Sequence, residues 1–67
     1  MQQTSPAFHS HIEPGQRVRH PHQPDWGVGQ VQSSILDRIT VNFPHAGKVV
    51  INARIVDLEI VEAAPRE

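Results

Sequence analysis

Residues 38–43 read Arg-Ile-Thr-Val-Asn-Phe and alternate without a fault: Ile39, Val41 and Phe43 point one way, Arg38, Thr40 and Asn42 the other. A period of two buries one face of a strand, and a helix with its period of 3.6 cannot bury such a set. Pro44-His45-Ala46-Gly47 follows, a short link with turn chemistry. Then comes Lys-Val-Val-Ile-Asn, residues 48–52, a return strand with Val49 and Ile51 inward. An antiparallel hairpin is therefore the element that the rest of the chain must fit.

The flanking sequence repeats the pattern in short pieces. Pro14-Gly15 opens a first strand over residues 16–20. Pro21 and Pro24 then stop the ladder, because a proline has no amide hydrogen to donate. Extended chain resumes over residues 27–32, where Gly27 and Gly29 mark a bulged start or a close backbone approach. Residues 33–37 read as a connector. After the hairpin, residues 53–56 read as one helical turn and residues 58–61 as a closing strand. These elements predict an all-β fold, a small five-stranded antiparallel barrel of the SH3-like or Tudor-like kind, which reduces exposed edges. The expected core is Val18, Val31, Ile39, Val41, Phe43, Val49, Ile51, Leu58 and Ile60. The expected organisation is a flexible tail over 1–13, the barrel over 14–61, and a second flexible tail over 62–67. Phe8 and Ile12 are the apolar residues of the first tail able to fold back over a barrel end.

Length and composition narrow the function. With 67 residues the chain holds one domain with a thin core. There is no cysteine, hence no disulfide framework and no thiolate metal site, which fits a cytoplasmic protein. The longest apolar run is the three residues Val49 to Ile51, too short to span a membrane. The start of the chain has neither a basic region nor an apolar run and does not read as a signal peptide. A net charge of -1 disfavours strong non-specific binding to nucleic acid. The charge is uneven, however: Arg17, Arg19 and four histidines precede residue 23, and four of the seven acids lie from Asp57 onward. A mildly basic face follows.

His9-Ser10-His11 and His20-Pro21-His22 are His-x-His pairs, able in principle to place two imidazoles on one face. Neither has a recognised zinc spacing, and no metal or cofactor is expected. No nucleophile motif, phosphate-cradling loop or distinctively spaced carboxylate pair is present, so the chain does not read as an enzyme. Asp25-Trp26-Gly27 is the segment with recognition character. Trp26 either caps the barrel end or is presented as an interface anchor, and the two roles can coexist. Arg17 and Arg19 flank Val18 and share the opposite face, suited to a carboxylate or another anion.

Taken together, "GQRVRHPHQPDWGVGQV", "ITVNFPHAGKVVI" and "ARIVDLEIV" resemble a family of short bacterial proteins of unassigned function. The same strings look like the Tudor-like barrel at the C-terminus of UvrD/PcrA-type repair helicases. They also look like the RNA-polymerase-interaction domain of CarD-type transcription regulators and of the transcription-repair coupling factor. The resemblance spans residues 15–61 and implies an SH3-like barrel that binds protein, with bacterial RNA polymerase as the leading partner. The chain lacks the helicase motor and helical DNA-binding domain of those relatives, and its His-Gln-Pro-Asp-Trp segment is longer than a minimal turn. The expected contact residues are Arg17, Arg19, His20, Pro24, Asp25, Trp26, His45 and Lys48. The second reading is a nucleic-acid-binding barrel, using Arg17, Arg19, His20, Arg38 and Lys48 with stacking by Trp26. A monomer or weak homodimer fits either.

Overall fold

The computed structural model describes residues 11–63. Five strands follow one another: β1 (Arg17–Arg19), β2 (Val28–Ile35), β3 (Arg38–Phe43), β4 (Gly47–Asn52) and β5 (Glu59–Glu62). One 3-10 turn, Pro24–Trp26, interrupts the link from β1 to β2. The strands form a single antiparallel sheet in the order β4-β3-β2-β1-β5. This is the all-β, five-stranded antiparallel architecture the alternation implies. The sheet is not closed into a barrel: among the described residues β4 pairs with β3 alone and β5 with β1 alone.

The core gathers on one face of this sheet. Ile12, Val18, Val31, Ile39, Val41, Phe43, Ile51 and Leu58 are buried. Burying each such side chain contributes roughly 1.5–3 kcal/mol before the entropy of ordering it is counted. The segment from Ala53 to Leu58 carries the chain from one sheet edge to the other, and Ala53 and Val56 pack on the core as it passes. Its start is the expected single turn, with the Ile55 and Val56 amides both donating to the Asn52 carbonyl at 3.0 and 2.9 Å.

Two boundaries and two core positions differ from the sequence expectation. The β2 strand runs to Ile35, so most of the expected connector is strand. A register shift between Val31 and Ser33 places one extra residue in β2, which lets both Val31 and Ser34 face the core-side partners Val41 and Ile39. The link to β3 shrinks to Leu36 and Asp37. Ile12 is buried, so the packed body begins ahead of residue 14. The Glu13 amide donates to Gln16 Oε1 at 2.8 Å, and the Gly15 amide donates to the Val31 carbonyl at 2.9 Å, which ties this segment down. Ile60, expected in the core, is 40% exposed, and it lies on β5, an edge strand paired with β1 alone among the described residues. Val49 is half-buried against the core rather than within it. The remaining tail positions, Phe8 and the His9 half of the first histidine pair lie outside the described residues. His11 is exposed.

Candidate interaction site

The Pro-rich loop is built by consecutive turns. The Gln23 amide donates to the His20 carbonyl at 3.3 Å, the Trp26 amide to the Gln23 carbonyl at 3.1 Å, and the Gly27 amide to the Pro24 carbonyl at 3.2 Å. Pro24 begins the 3-10 turn, where its missing amide hydrogen costs nothing. The loop is then fastened to the β3–β4 turn. The His45 amide donates to the Trp26 carbonyl at 3.1 Å, and His45 Nδ1–H donates to the Asp25 carbonyl at 3.1 Å.

Two glycines let this junction close. A Cβ on Gly29 would lie 2.6 Å from both Phe43 Cδ1 and Val41 Cγ1, so only a bare backbone fits beneath the two side chains. Gly27 has φ of 84°, and a Cβ there would meet Pro44 Cγ at 2.8 Å. The glycine signal in the sequence therefore marks close packing of β2 against the end of β3.

An aromatic ladder runs through the junction. Trp26 packs on Phe43 with centroids 5.2 Å apart and on His20 at 5.0 Å, with the rings tilted or edge-on. His20 in turn lies 6.0 Å from His22. Trp26 itself is half-buried and packs against the core. His20 is different. It is only 8% exposed, and its Nδ1 accepts the His22 amide at 3.0 Å. That bond fixes the neutral ring with its proton on Nε2. Burial lowers the pKa of His20 from its ordinary value, and the neighbouring His22 lowers it further. His20 is thus a structural part of the loop, and its ring is withheld from the surface where a contact residue would present it. The His20-x-His22 pair spends one imidazole nitrogen on the loop's own backbone, and no cluster of three metal-ligating side chains exists among the described residues.

The other expected contact residues fall into two groups. Pro24, Asp25 and His45 lie exposed around the stapled loop. Arg17, Arg19 and Lys48 lie on the outer face of the sheet. Arg17 Nε is 3.4 Å from Glu62 and Arg19 Nη1 is 3.6 Å from Glu59, so each arginine is shared across the β1–β5 ladder. These pairs are solvent-exposed and contribute about 0–1 kcal/mol.

Sequence reading missed Gln30 and Asn42. The register sets Arg17 opposite Gln30, Gln30 opposite Asn42, and Asn42 opposite Lys48. Four polar side chains thus form one row across β1, β2, β3 and β4. Beside the row is an open groove of about 240 Å³ lined by Arg17, Val28, Gly29, Gln30, Asn42 and Pro44. Outward-facing positions were legible from the alternation, but their alignment into a row depends on register.

No curated protein and no solved structure matches this chain. The likeness to Tudor-like and CarD-type domains accordingly stands on the quoted strings alone. The family model described as "Protein of unknown function (DUF3553)" matches residues 12–61, a span that begins at the buried Ile12 and ends within β5, and the chain belongs to that family.

Proposed function

We propose that this domain is a non-catalytic protein-interaction module that docks on a bacterial transcription or repair assembly, with RNA polymerase as the first partner to test. The observation that carries the reading is the asymmetry of the two sheet edges. The β5 edge is short, has Glu59 and Glu62 at its ends, and is offset from β1 by a register shift. Such features discourage strand addition. The β4 edge has six residues, a regular register with β3, and an exposed Val50 and Lys48. A partner strand can extend the sheet there through main-chain hydrogen bonds, with the exposed side chains setting specificity. The resemblance to polymerase-binding barrels supplies the choice of partner.

The non-catalytic reading is supported by how the imidazoles are used. His20 Nδ1 is occupied by the His22 amide and His45 Nδ1 by the Asp25 carbonyl. Nucleic-acid binding is the weaker alternative, because the stacking it needs falls to Trp26, whose ring is engaged with His20 and Phe43.

The test is co-precipitation of purified bacterial RNA polymerase with the tagged domain. Wild type captures the polymerase, and Val50→Asp on the β4 edge captures it at least tenfold less well. Failure of wild type to capture it removes polymerase as the partner, and equal capture by the variant removes the β4 edge as the docking element.

A further inference from the structure

We infer that the outer face of the sheet binds an extended acidic segment of a partner protein, along the row Arg17–Gln30–Asn42–Lys48. This inference rests on the interaction-module reading and adds the chemistry of the partner. The first support is charge. The strands β2, β3 and β4 contain no aspartate or glutamate, while Arg38 and Lys48 lie exposed on them. The acids near this face, Glu59 and Glu62, sit on the β5 edge and are already opposite Arg19 and Arg17. Lys48 makes no ion pair among the described residues.

The second support is spacing. Three strand separations of ~4.8 Å put Arg17 and Lys48 about 14 Å apart at the backbone, and four residues of extended chain span about the same distance. A segment crossing the strands therefore sets carboxylates at positions i and i+4 against the two cations. Position i+2 points the same way and meets the apolar side of the groove, Val28 and Pro44. Gln30 and Asn42, between the cations, supply amide donors and acceptors to the segment's backbone. The pattern that fits is acidic-x-apolar-x-acidic. Arg17 is available to it, since its pair with Glu62 is exposed and 3.4 Å long. A nucleic acid fits less well: among the described residues Phe43 is buried and the half-buried Trp26 ring is packed on Phe43 and His20.

Three probes decide the matter in an NMR titration that follows the side-chain amides of Gln30 and Asn42. They are a capped peptide with the core Glu-Ser-Leu-Ser-Glu, its Lys-Ser-Leu-Ser-Lys counterpart, and the oligonucleotide (dT)10. The acidic peptide shifts both amides, the basic peptide shifts neither, and Lys48→Glu weakens the acidic peptide at least tenfold with distant resonances unchanged. Equal shifts from both peptides, no shift from either, or a response to (dT)10 in place of the acidic peptide overturns the inference. Polymerase capture by both wild type and Lys48→Glu, with no peptide binding, discards the acidic segment and leaves the interaction module standing. Peptide binding without polymerase capture does the reverse and retires the polymerase.

Discussion

The two ends of the sheet are built to different standards. At one end the loop from His20 to Gly27 is locked onto Phe43, Pro44 and His45 by ring contacts, one backbone and one side-chain hydrogen bond from His45, and two glycines with no room for a side chain. At the other end the β2–β3 hairpin and the turn after β4 leave Ile35, Leu36 and Ile55 exposed by 66, 53 and 78%. That end is tied by the Ala53 amide on the Asp37 carbonyl at 2.8 Å and an Arg54–Asp37 ion pair at 2.9 Å. The prolines, which look like loop punctuation, belong to the rigid end. The apolar hairpin tip, which reads as a connector, belongs to the loose one. Residue type alone does not report order; what the side chain can reach does.

The largest way to break this contrast is at Phe43. It is 1% exposed and is the residue through which Trp26 meets the core. Truncation to alanine removes the ring and leaves a cavity, at about 3–5 kcal/mol. For a domain of this size that is comparable to its whole stability. Phe43→Ala is expected to melt cooperatively far below wild type or not fold at all. Phe43→Leu, which keeps most of the volume, is expected to fold and to lose the loop end selectively. Amide exchange tests this: in Phe43→Leu the amides of Trp26, Gly27 and His45 lose protection before those of β3. Uniform loss across the sheet would show that the loop is not a separate unit resting on Phe43.

The next effect is pH-dependent and also confined to the rigid end. His20 is buried neutral with its pKa below the ordinary ~6.5, and its Nδ1 accepts a bond that a protonated ring cannot accept. In the unfolded chain the same ring takes a proton near ~6.5. Between the lowered folded value and ~6.5 the unfolded state therefore holds more protons, and stability falls as pH falls through that window. Above it this group contributes no slope. The His22 ring, 6.0 Å away, is the second cause of that lowering after burial. Trp26, the chain's one tryptophan, touches His20 and reports the opening by its emission. Urea midpoints are expected to drop from neutral pH to pH ~5 in wild type and to drop less in His20→Gln. Identical slopes in the two proteins would assign the acid sensitivity elsewhere.

How much of this the sequence showed depends on where one face is buried. Ile39, Val41 and Phe43 are all core, because a strand covered on one side writes its face into a period of two. The alternation failed in β2, where the register shift puts Val31 and Ser34 on the same side three residues apart. The serines there read as connector because their packing comes from the bulge, not from hydropathy. Ile60 was misplaced because an edge strand shows the same composition as a covered one. The candidate site was legible only as separate residues. Arg17 and Lys48 were visible as outward cations, but Gln30 and Asn42 gain meaning only from the pairing of four strands, which no local pattern specifies.

The smallest effect belongs to the loose end and runs in the stabilising direction. Leu36 opens the two-residue hairpin link with φ of 54°, a conformation that favours glycine or asparagine. A side chain there costs roughly 1–2 kcal/mol in backbone strain. Replacing it by glycine relieves the strain and costs ~0.5–1 kcal/mol in chain entropy. Since the side chain is 53% exposed, little packing is lost. Leu36→Gly is therefore expected to raise stability by about 0.5 kcal/mol, a shift of a few degrees in Tm for a domain this small. The gain should vanish if Leu36 covers its neighbours Ile35 and Ile55 in solution. A loss of more than ~1 kcal/mol would mean that the leucine repays its strain by packing, and the hairpin end would then have to be counted as a second built surface rather than a loose one.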